Sequence, residues 1–150
     1  MRFLPSAAMT ALAFALTGSL AQHVHQEHGQ LGKVAFANSC DAKVQPELQR
    51  AMAMLHSFWF TAGEKTFRSV LQNDPRCGIA TFGIAALLMN NPLAGQGASA
   101  QAAASAQAAI EQGRRIEGVT QRERDYIEAV AAYYADFANK PERARQAGCS

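Results

Sequence analysis

The residues able to do chemistry are few in this chain of 150, and their spacing decides most of what can be said of them. His23, His25 and His28 fall within six residues, in a polar stretch from Gln22 to Gly32. Three imidazoles on a flexible segment can wrap Zn²⁺ or Cu²⁺. No cysteine or carboxylate cluster completes the set, and a solvated tail has the same composition. His56 stands beside Ser57, but adjacent helical positions diverge by about 100°, which is not the geometry of a base and its nucleophile. The chain contains no G-x-S-x-G and no H-E-x-x-H, and Gly95 and Gly97 precede no G-K-[ST]. These motifs point away from an enzyme and require no cofactor. Cys40, Cys77 and Cys149 include no C-x-x-C, so a redox-active pair is disfavoured. At this point the three are open between buried thiols and a disulfide with one cysteine over.

The compartment bears on that choice. Met1 to Ala21 reads as a secretory leader: Arg2 gives a positive start, Ala7 to Leu20 an apolar run, and Ser19-Leu20-Ala21 a small-x-small cleavage site. The run is shorter than the roughly 20 apolar residues that span a bilayer. The expected product is exported, periplasmic or extracellular, in a compartment that permits disulfides, with no stable membrane insertion after cleavage. Loss of Arg2 takes the formal charge from +2 to +1. The remaining charges are mixed in sign, which gives no electrostatic case for nucleic acid.

The elements that position these residues are helices. Leu48, Ala51, Met52, Leu55 and Trp59 recur at helical spacing and form one apolar face, with Trp59 as a core residue at the following turn. Thr61 and Glu64 have the spacing of a capping box that starts a second helix, whose buried stripe is Phe67, Val70 and Leu71. Asp74-Pro75 ends that helix and opens the next, with Asp74 as its cap. Asn90-Asn91-Pro92 stops the third helix. Ala100 to Gly113 favours a helix by propensity, but with so few large side chains it is expected to be the weakest packed. Thr120 and Glu123 cap a fifth helix, whose face carries Tyr126, Ile127, Val130, Tyr133, Tyr134 and Phe137. Pro141 introduces a short, polar terminal helix. Before all of these, Val34 and Phe36 alternate with Lys33, Ala35 and Ala37 in an extended lead-in expected to lie across the first helix pair.

The stretch from Val44 to Asn90 resembles tetratricopeptide repeats, which use about 34 residues per helix–turn–helix unit, small residues at helix crossings and a closing proline. Ala51 and Gly63 take the small positions, Phe67 the large apolar one and Pro75 the last; Ile84, Ala85 and Leu88 begin a second unit. Ser39-Cys40, LHSFWF and DPRCGIATFGIA further resemble a family of bacterial exported repeat proteins of unassigned function. The resemblance implies an all-α fold, with antiparallel helix hairpins stacked as a short solenoid. It implies a leader at 1–21, a flexible His-containing arm and lead-in at 22–38, and a repeat domain at 39–150 that is incomplete at its C-terminus. It also sets the starts of successive first helices side by side, which pairs Cys40 with Cys77. Leu48, Met52, Phe82 and Met89 would then face a concave groove for a protein or peptide partner. The expected function is a non-enzymatic exported scaffold, and the alternative is a periplasmic metal-handling protein that uses the His cluster.

Overall fold

The structure, a computed structural model, describes residues 31–95 and 97–148. The leader, the arm histidines His23, His25 and His28, and Cys149 lie outside the described residues. The described chain is all-α. Its helices are α1 (Gln45–His56), α2 (Phe60–Asn73), α3 (Gly78–Leu88), α4 (Ala100–Arg115), α5 (Gln121–Tyr134) and α6 (Glu142–Ala147). Short 3₁₀ turns precede α1, at Ala42–Val44, and α4, at Pro92–Ala94. The connections are brief, so each helix folds back on the one before it. α1, α3 and α5 form an inner layer in which α3 touches both neighbours, while α2 and α4 pack outside it. No helix among the described residues is long and apolar enough to cross a membrane.

Two apolar clusters meet across α3. One gathers Val44, Leu48, Ala51, Phe67, Val70, Ile79 and Ile84; the other gathers Ala103, Ala106, Ile110, Ile127, Val130, Tyr133 and Tyr134. α3 is buried almost all round, as its unbroken apolar sequence requires. Close approach there depends on small residues. A methyl group on Gly83 would lie 2.3 Å from the Phe67 ring, and one on Gly63 2.8 Å from Leu87. Gly63, one of the two small positions read from the sequence, therefore sits where α2 crosses α3, while Gly83 on α3 was not read as one and Ala51 lies on α1. α4 is not the weakest-packed helix: Ala103, Ala106 and Ala109 are buried, because their lack of bulk brings the backbone close to its neighbours. That place belongs to α6, which has no buried residue.

Three local features differ from expectation. α2 begins at Phe60, and Trp59 N-caps it with no side-chain hydrogen bond, so Thr61 lies inside the helix. The Trp59 carbonyl accepts from the Gly63 N–H at 2.8 Å, which starts the helix too early for a Thr61–Glu64 box. Glu64 instead pairs with Arg68 one turn on. Trp59 itself is exposed, because Phe58 at φ +58° turns the chain away from the α1 stripe. Finally, Asp74-Pro75 does not open α3: Cys77 is its N-cap. The Asp74 carboxylate receives the backbone N–H of Asp41 at 2.7 Å and of Arg76 at 3.1 Å.

Candidate binding face on the inner helices

Cys40 and Cys77 are joined in a disulfide, with 4.4 Å between their Cα atoms. The bond fastens the lead-in to the start of α3. Two further ties hold the same segment. Asp41 is bound to Asp74 as described, and Ser39 donates its N–H and its hydroxyl to the Glu123 carboxylate at 3.1–3.2 Å. Glu123 is only 1% exposed. It also receives the Thr120 N–H and hydroxyl at 2.8 Å, which completes the capping box at the start of α5. Thus Cys40 and its two sequence neighbours connect the lead-in to α5, to α3 and to the end of α2.

This anchoring sets Val34 and Phe36 beside the second half of α1 and the N-terminal halves of α3 and α5. The lead-in packs on the cluster shared by α1, α2 and α3, and with residues of α1, α3 and α5 it lines one cavity. With Met52, Ile79, Phe82 and Tyr126 it encloses a cavity of about 200 Å³, which His56 and Arg122 also line. Phe82 and Tyr126 are in ring contact at 5.1 Å. Met52 and Ile79 are buried here, Phe82 is half-buried, and Tyr126 remains 37% exposed.

A second cavity on the same layer, toward the C-terminal ends of α3 and α5, is open. Leu55, Ala86, Met89 and Tyr133, from the last turns of α1, α3 and α5, line a cavity of about 320 Å³, with Phe58 and Phe60 at its edge. Asn90, Glu142 and Gln146 supply its polar margin. Phe58 and Asn90 both have positive φ, +58° and +66°, a conformation that costs side chains other than glycine energy. Phe58 is 50% exposed, with its ring 6.1 Å from that of Phe60.

Glu142 and Gln146 of that margin are bonded to each other, Gln146 Nε2 donating to Glu142 Oε1 at 2.9 Å. Tyr133 donates to Glu142 Oε2 at 2.7 Å and accepts from the Ala98 N–H at 3.2 Å. Arg145 pairs with Glu142 at 2.8 Å and stacks its guanidinium 4.1 Å from the Phe137 centroid. Burial pushes the Glu142 carboxyl up. Hydrogen bonds from Tyr133, Arg145 and Gln146 and the charge of Arg145 outweigh it, and hold the group below the usual carboxylate range. Burial pushes the Tyr133 phenol up, so it stays protonated.

Of the four residues expected in a groove, Met89 lines the larger cavity, and Met52 and Phe82 line the smaller one. Leu48 does neither: at 1% exposure it belongs to the core and has no surface for a ligand. Periodicity found the apolar face of α1 but could not tell its inner edge from its core edge. Phe58, Tyr133, Glu142 and Gln146 were missed as cavity residues. The LHSFWF run and the Tyr133–Phe137 spacing marked the aromatic residues, but only the turn at Phe58 and the docking of α6 bring them together. His56 is exposed at the end of α1, where it meets the smaller cavity rather than a nucleophile. Comparison of the chain with protein-family models, with curated proteins and with solved structures finds no match in any of the three.

Proposed function

We propose that this chain is an exported, non-enzymatic interaction module that holds an extended apolar peptide segment of a partner protein along its inner helices. The observation that carries the reading is the occupied half of that face. Val34 and Phe36 lie there as an apolar-x-apolar segment, beside an open apolar cavity of about 320 Å³ that shares Leu55 with theirs. A partner segment of the same pattern would extend that line into the open half. Flexible Met89 and the aromatic margin suit side chains of varied shape. The titratable groups that line the open cavity, Tyr133 and Glu142, are bonded to each other, which favours binding over chemistry. Export agrees with the leader-like start and with a disulfide, the bond of oxidising compartments.

The test is a fluorescence-polarisation screen of extended peptides that carry apolar residues at alternate positions. The parent chain should bind a subset of them. Met89→Asp should weaken that binding by about tenfold or more, since a charge placed in an apolar site lacks compensation, with an unchanged thermal midpoint. Equal binding by Met89→Asp would remove this face from consideration.

A further inference from the structure

The disulfide has a third buried neighbour that a covalent staple does not need. The Cys40 and Cys77 sulfurs and a carboxylate oxygen of Asp74 all lie within 4.8 Å of one another, and all three residues are buried. We propose that on reduction these three side chains form a Zn²⁺ site, so that the staple alternates between a covalent and a metal-bridged form. This proposal is independent of the peptide-binding reading.

Zinc in protein sites takes four ligands in a tetrahedron, with bonds of about 2.3 Å to thiolate and about 2.0–2.2 Å to carboxylate. The edges of such a tetrahedron are roughly 3.4–3.8 Å, so the two sulfurs move apart once their bond is broken, while a carboxylate oxygen of Asp74 already lies within 4.8 Å of both. Two thiolates and one carboxylate are a donor set this borderline-soft cation accepts, and the fourth position is left for water. The carboxylate is already oriented. The Asp41 N–H lies on one oxygen and the Arg76 N–H on the other, at 2.7 and 3.1 Å. Each oxygen retains a further lone pair for a metal, and outer hydrogen bonds of this kind fix ligands in place. The D-P-R-C turn sets Asp74 and Cys77 three residues apart, closed by the Cys77 N–H on the Asp74 carbonyl at 3.0 Å. α3, eleven residues long, starts directly after Cys77, so its positive end stabilises a thiolate there. The chemistry balances. An external dithiol delivers two electrons and two protons to the S–S bond and becomes a disulfide; a phosphine delivers the two electrons, and water supplies the two protons and the oxygen of the phosphine oxide. Zn²⁺ then binds both sulfurs and releases their two protons to solvent. An external disulfide takes the two electrons back from the bridged thiolates, is reduced to a dithiol with two protons from solvent, and so restores the S–S bond and expels the ion.

The experiment uses the full chain with His23, His25 and His28 replaced by alanine, so that the arm contributes no ligand. Zn²⁺ is titrated against a chromophoric chelator before and after phosphine reduction, and Co²⁺ is used as a spectroscopic substitute. The reduced chain should bind one equivalent at least about a hundredfold more tightly than the oxidised chain. It should also give a thiolate-to-cobalt charge-transfer band that disappears on reoxidation. Asp74→Asn should weaken binding by about tenfold or more, the scale of ligand-shell losses. Equal affinity in the two redox states overturns the site, as does full affinity in a folded Asp74→Asn chain. Should that variant lose its helical dichroism, the parent decides alone: a reduced parent with no cobalt band, or with no rise in thermal midpoint on adding Zn²⁺, overturns the proposal.

Discussion

Glu123 is a charged residue placed where charge is ordinarily unwelcome, and it is tolerated because four donors surround it. Ser39 and Thr120 each offer an N–H and a hydroxyl, so the carboxylate is fully hydrogen-bonded without a cation. Replacement by alanine would strand the two backbone donors, each at about 1–3 kcal/mol. Glu123→Ala is therefore expected to lose about 2–4 kcal/mol in urea unfolding, and Glu123→Gln to recover part of it. A loss below about 1 kcal/mol would mean that water replaces the carboxylate. Half of this arrangement was legible in the sequence. The Thr120–Glu123 spacing announces a capping box, since both partners are local. The bond to Ser39, 84 residues away, has no local signature. The same spacing at Thr61 and Glu64 produced no box, because the Trp59 carbonyl starts that helix first. A capping pattern names a pair, and the backbone around it decides whether the pair is used.

Among the elements, α6 is the one whose docking rests on polar contacts. Six residues with no buried side chain cannot hold a helix by propensity or by area. Glu142 does it by joining Tyr133 to Arg145, and Arg145 covers Phe137. Because the docked state holds the Glu142 carboxyl below its ordinary value, docking gains stability above the usual pKa of about 4.3. That gain is lost as pH falls through the depressed value. Near-ultraviolet dichroism from Tyr133 and Phe137 should therefore decline on acidification before the helical signal does. Glu142→Gln should reduce the near-ultraviolet signal at neutral pH and remove this step. Coincident loss of the two signals in the parent would assign the transition to the whole fold instead. The sequence announced a short polar helix after Pro141, but not that its acid would close one side of a cavity. That closure depends on the tertiary position of Tyr133.

The described helices form a two-layer stack that the Cys40–Cys77 bond gathers at one end. Pairing Cys40 with Cys77, 37 residues on, limits the unfolded chain by about 4 kcal/mol in the loop-entropy model. The double variant Cys40→Ala/Cys77→Ala should unfold about 2–4 kcal/mol earlier in metal-free urea titrations, with its helical content unchanged in water. A loss near zero would mean that the Ser39–Glu123 and Asp41–Asp74 ties already fix the lead-in. At this scale the helical periods and the start-to-start placement of α1 and α3 were the readable part. What could not be read was which surface the lead-in would cover, because alternation gives Val34 and Phe36 an apolar side without naming the helices beneath it.

The staple also sets the path of mechanical load. Tension applied between the two ends of the oxidised chain enters at Cys40 and crosses directly to Cys77. α1 and α2 lie in the bypassed segment and carry none of it, while α3, α4 and α5 are drawn out in series. Breaking the bond returns the bypassed residues to the load path, and with about 3.6 Å per residue the fully extended chain lengthens by roughly 130 Å. The first helix pair is thus strain-shielded for as long as the sulfurs remain joined. The inner face loses α3 and α5 to a pull well before it loses α1.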